Sequence, residues 1–136
     1  MNFEREFHKA VEKYGGMINA HTHLDRAYVM KPEFVEYADM DPWEIVTYPL
    51  PVKQHTTGIL HEGPAYKHKS LKERMERAIK ESIQFGVNRI DSFIDTTADC
   101  IGLTALEVAV ELKQKYNGRL YRNSARTGCY TWTYWF

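Results

Sequence analysis

The sequence predicts an α/β domain built on parallel strands, and three observations carry that expectation. Strand-like runs at 17–23, 87–95 and 119–124 alternate with helical patterns, the order that βαβ units produce. The helical pattern between the first two runs opens on Ser70 with Glu73 three residues on and closes at Gly86. With 136 residues and 43% apolar side chains, the chain holds enough to bury one core, so a single domain over 1–136 is expected.

The elements follow in order. Phe3, Phe7, Ala10, Val11 and Tyr14 recur at helical spacing before Gly15-Gly16, which predicts an amphipathic helix in need of a surface to lie on. Met17 to His23 is short, uncharged apart from its histidines, and strand-like. The stretch 24–69 holds all five prolines and little periodicity. It reads as an extended loop with short helical pieces around 32–39 and 43–46, and a loop of this length in a compact domain is usually functional.

Ser70 and Glu73 form a capping box ahead of an apolar stripe of Leu71, Met75, Ala78, Ile79 and Ile83. The basic stretch Lys67-His68-Lys69, with Lys72 and Arg74, reads as a solvated helix start. A last helix is expected over 103–116, carried by Leu106, Val110 and Leu112 and closed by Asn117-Gly118. The end of the chain, 127–136, departs from this pattern: Cys129 to Phe136 places five aromatics in eight residues, a sticky edge if exposed.

Composition narrows the function. Lys+Arg and Asp+Glu are equal at 18 each, so no net basic field favours nucleic acid. No apolar run is long enough to span a bilayer, and the charged N-terminus lacks a signal-peptide core. Cys100 and Cys129 show no CxxC spacing, so reduced thiols and a cytoplasmic location are expected. Cys100 has no basic neighbour to activate it as a nucleophile.

The chemistry-bearing motif is His21-Thr22-His23. Residues two apart on a strand share a face, so both imidazoles can grip one cation, with Met17 and Asn19 continuing that face. In a parallel barrel the pair would stand at the C-terminal strand end, where such active sites are built. Imidazole nitrogen suits zinc or iron, and either ion can generate hydroxide near neutral pH. A pair of hydrogen-bonded histidines at a strand end is the bland alternative. The context favours the metal: a strand closing on the pair, Leu24-Asp25 directly after, and a long loop within a βα pattern.

Gly16 to Asp25, with its HTHLD run, resembles the first-strand motif of the amidohydrolase superfamily, nearest to the cytosine deaminase-like branch. Thr57-Gly58-Ile59-Leu60-His61-Glu62-Gly63 is similar to a loop of that branch, and Phe85 to Asp95 to a following helix end and strand. The resemblance implies a (β/α)₈ barrel, of which this chain would supply about three βα units behind an N-terminal helix. It implies one divalent metal, zinc or iron, that activates water against a C–N bond. The substrate would be a small heterocyclic amine or cyclic amide. His21 and His23 match the first two metal ligands. Asp25 matches a following aspartate that orients nearby groups, although a loop-capping carboxylate explains it as well. Phe93 stands where the cytosine deaminase pattern more often has a histidine.

The family draws further histidines and carboxylates from later strands, and no histidine follows His68 here. A barrel needs about 250 residues, so the chain alone is expected to be incomplete as a hydrolase. A completing chain or a second copy is the expected partner. The alternative is a non-catalytic barrel fragment serving as an interaction or metal-binding protein, its open sheet edges pairing with another chain. His55, His61 and His68 could reach a metal or substrate from the loop, though solvated loop histidines are the commoner case. Asp95 is read either as a carboxylate behind a metal-bound histidine or as a helix N-cap.

Overall fold

A computed structural model describes residues 2–116. The strand expected at 119–124, the closure at Asn117-Gly118, Cys129 and the aromatic run at 127–136 lie outside the described residues. The chain order is α1 (Phe3–Lys13), β1 (Met17–Thr22), α2 (Pro32–Tyr37), α3 (Leu50–Glu62), α4 (His68–Gln84), β2 (Val87–Ser92) and α5 (Thr104–Tyr116). β1 and β2 pair in parallel, so the α/β class and the βαβ order expected from the sequence are present.

The core forms where α4 lies between the sheet and α5. Leu71, Met75 and Ile79 of α4 are buried against Ile90 and Ile94 and against Ala105, Val108 and Leu112 of α5. Burying each large aliphatic here contributes roughly 1.5–3 kcal/mol. The expected stripe of α4 is therefore correct, with Ala78 and Ile83 at its half-buried margin. In α5 the buried residues are Ala105, Val108, Leu112 and Tyr116; Val110 is exposed and Leu106 only half-buried. Spacing decides this, because 105, 108, 112 and 116 form one continuous helical face that 110 cannot join.

Gly86 ends α4 at φ +81°, the left-handed conformation expected of it. Gly15 and Gly16 turn the chain from α1 into β1 at φ +94° and +83°, and Asn88 crowds the space a side chain at 16 would need.

Two expectations are corrected, and the expected amphipathic first helix is present with no residue buried. The stretch 24–69 is not an extended loop: it contains α2, the thirteen-residue α3 and short 3-10 turns at Leu24–Arg26, Ile45–Thr47 and Pro64–Tyr66. Its prolines sit mainly in first turns, where the missing N–H costs nothing, so they start helices rather than break them. The capping box is absent, because α4 begins at His68 and Ser70 is already inside the helix. Finally, α1 buries none of its residues; Phe3 is 80% and Tyr14 83% exposed, and only the His8–Val11 side approaches Gly86. No helix among the described residues is long and apolar enough to cross a membrane.

Candidate functional site

The carboxyl ends of β1 and β2 form a common rim. Phe93 N donates to Thr22 O at 2.9 Å, and Leu24 N donates to Ser92 Oγ at 3.1 Å. These bonds fix the residues just beyond both strands, the position where open parallel sheets and barrels place their chemistry.

His21 lies near the end of β1, and His23 is the first residue beyond it. Their ring centroids are 5.5 Å apart, and both rings rest on Phe93, at 4.7 and 5.7 Å. The expected pairing of the imidazoles is thus present, on the face that residues two apart share. The register slips between Asn19 and Thr22, which leaves one extra residue in β1. Asn19 pairs with buried Ile90, whereas the histidines lie against Phe93, on the opposite alternation of β2. Asn19 therefore does not continue the histidine face as expected.

His21 is exposed and His23 half-buried, with the Nδ1 of His23 buried and unpaired. Burial and the nearby Arg26 guanidinium hold the His23 pKa below its usual value, against the pull of Asp95. Phe93 supplies an aromatic floor beneath both rings.

Beside the pair runs a belt of buried charge. Asp25, in the turn after His23, is fully buried; its Oδ2 accepts a 3.4 Å hydrogen bond from Asp95 N, and its Oδ1 has no partner. Burial, reinforced by the Asp95 charge, raises the Asp25 pKa. Asp95 is also desolvated, yet His61 and Arg26 more than offset this and keep it ionised well below the usual range. Arg26 grips Asp95 through Nε and Nη2 at 2.7–3.0 Å.

His61, at the end of α3, sits within 2.6 Å of Asp99 through Nδ1. Its Nε2 is 3.8 Å from Asp95, an ionic contact too long for a hydrogen bond. Burial opposes protonation of His61, but Asp95 and Asp99 outweigh it and raise the pKa. The ring packs edge-on against Tyr66 at 4.5 Å.

Arg74 holds the belt in place. It is 3% exposed, and it donates to the carbonyls of Asp25 at 3.0 Å, Ala65 at 2.6 Å and Ala27. Its guanidinium also lies over the rings of Phe34 and Tyr66. One α4 side chain therefore ties the turn carrying Asp25 to the turn carrying Tyr66.

Several individual expectations change. His61 is a buried helix residue, not a solvated loop histidine, because two carboxylates compensate it. His55 is exposed in α3, and His68 opens α4 and pairs with Glu111 at 2.9 Å. Neither approaches His21 or His23 closely enough to form a ligand group with them. Asp95 lies beyond β2 and caps no helix; it binds Arg26 and faces His61. Asp25 serves the turn from within the core. Arg74 is not part of a solvated helix start: it occupies the buried face between Leu71 and Met75.

Arg26, Tyr66, Arg74 and Asp99 were not singled out as site residues from the sequence. A lone arginine inside an apolar helical stripe was the available signal for Arg74; the other three carry no periodic or motif signature.

Two imidazoles, one with an unpaired buried nitrogen, suit the first half of a zinc or iron site. Among the described residues, no group of three or more His, Cys, Asp or Glu side chains is arranged to hold a metal. No protein-family model matches the chain, and neither a curated protein nor a solved structure matches it.

Proposed function

We propose that this chain forms the opening βα units of a metal-dependent amidohydrolase barrel, with His21 and His23 as its first two metal ligands. The observation that carries this reading is the placement of two adjacent imidazoles on the rim of a parallel sheet, 5.5 Å apart between ring centroids, with His23 Nδ1 unpaired. The resemblance of Gly16 to Asp25 to the first-strand motif of that superfamily points the same way. When bound, a zinc or iron ion would supply an activated water for hydrolysis of a C–N bond in a heterocyclic amine or cyclic amide.

The chain's own residues contribute positioning. Arg74 fixes the turn that carries Asp25, and Ser92 fixes the backbone just after His23. Phe93 packs against both rings and restricts their rotation. The remaining ligands and the general acid would come from strands other than β1 and β2, provided by a further segment, a completing chain or a second copy. Among the described residues, each strand of the sheet has an outer edge with no strand paired to it, where such pairing could occur.

Equilibrium dialysis against an excess of zinc or iron(II), which registers the weak binding that two ligands give, tests the pair directly. The reading expects about one ion per chain, lost in a His21→Ala/His23→Ala variant that keeps its helical circular dichroism. No bound metal in the parent chain, or equal metal in the variant, would overturn it.

A further inference from the structure

Next to the charged belt, α3 and the turns before it enclose a cleft of about 290 Å³. Its walls are apolar, made chiefly by Val29, Met40, Ile45 and Leu60. Two cations, Arg26 and Lys53, line it, and no acidic side chain does. Pockets for small ligands have this composition: an apolar body with a few charged or polar groups that fix orientation.

The polar atoms restrict what can bind. Thr56 and Thr57 also line the cleft, but their hydroxyls donate to Val52 O at 3.1 Å and Lys53 O at 2.9 Å, within their own helix. Arg26 uses Nε and Nη2 on Asp95, while Nη1 makes no hydrogen bond among the described residues. Lys53 donates once, to Val46 O at 2.8 Å, and makes no ion pair among the described residues. An ammonium carries three donors, so Lys53 keeps two N–H groups and a charge with no carboxylate partner at an apolar surface.

We propose that this cleft binds a small amphipathic anion: an apolar or aromatic body seated among Val29, Met40, Ile45 and Leu60, with a carboxylate held by Lys53 and steered by Arg26. Binding of such a molecule does not require the histidine pair. Its role as the remote part of a substrate, placed by Arg26 next to the belt and the rim, rests on the amidohydrolase reading.

Titration calorimetry with a matched pair of probes, 3-phenylpropanoate and the uncharged 3-phenylpropanamide, separates charge from shape. At low salt the carboxylate should bind about two- to fivefold more tightly than the amide, the scale of one partly exposed ion pair. Lys53→Gln retains a donor for Val46 O, and it should abolish that preference while leaving the affinity for the amide unchanged. Val46→Asp places a carboxylate on an exposed wall residue and should remove the preference, which guards against a folding defect in the first variant.

Equal binding of the two probes, no binding of either, or a preference that survives Lys53→Gln would overturn the proposal. The same titrations on metal-free His21→Ala/His23→Ala chain keep the two readings apart. There the preference should persist whether or not the parent chain binds metal.

Discussion

His21 and His23 touch each other and Phe93, and the buried Nδ1 of His23 has no partner. In the neighbouring belt, Arg74 donates to three carbonyls, Arg26 holds Asp95 through two nitrogens, and His61 lies between Asp95 and Asp99. Both groups occupy the same rim and are rich in charge or potential charge. They differ in degree: every belt side chain makes at least one hydrogen bond, although Asp25 Oδ1, His61 Nε2 and Arg74 Nε are left without one, whereas the two imidazoles make only ring contacts among the described residues. A side chain bonded to several parts of the chain holds structure together, whereas one that bonds to none is available to a ligand.

Removing a member of the belt should therefore damage the fold. Arg74→Met keeps a long apolar stem against Phe34 and Tyr66 but strips three buried or half-buried carbonyls of their donor. The expected cost is about 3 kcal/mol in urea denaturation, since each lost buried partner costs about 1–3 kcal/mol and relaxation recovers some of it. A loss below about 1 kcal/mol would mean that water replaces the guanidinium and that the belt is not held by Arg74.

His61 gives a smaller, pH-dependent effect. Its folded pKa is raised, so its contribution to stability is fully present below the ordinary value of 6.5 and disappears as pH rises through the folded value. Unfolding free energy in the parent chain should fall across this alkaline-side window. His61→Gln should remove that part of the decline. An unchanged pH profile in the variant would show that His61 is neutral in the folded protein.

The smallest effect belongs to the pair. In metal-free protein, His21→Ala/His23→Ala should change stability by less than about 1 kcal/mol, because only ring contacts are lost. A loss of about 3 kcal/mol would instead identify the histidines as structural and erase the contrast with the belt.

What could be read from the sequence follows the same division. The apolar stripe of α4, Gly86 and the parallel βαβ order are local or periodic, and the chain writes them plainly. HxH was visible because two like residues at strand spacing form a pattern in themselves. The belt was not, because it joins Asp25, His61, Arg74, Asp95 and Asp99 across residues 25–99, and no local pattern encodes contacts of that separation. α3 was hidden for a different reason: its threonines, its glycine and its weakly amphipathic order resemble a loop until neighbouring turns cover Leu60 and His61. The bulge in β1 was equally silent, although it determines which face of the sheet the histidines share.

The pairing of Met17 with Val87 has a consequence in time. Seventy residues separate the partners, so β1 emerges with nothing to bond to and must wait for β2. At about 5–20 residues per second, synthesis alone imposes a delay of roughly 4–15 s before the sheet can close. α4 and α5, by contrast, are near neighbours in the chain and can dock soon after each appears. β2 nevertheless precedes α5 in the chain, so both strands are present before the α4–α5 layer can be completed, and their pairing still needs the costly closure of a long loop. During that interval the HTH segment is exposed to the cell as an unpaired strand, open to a chaperone or to the edge of another chain.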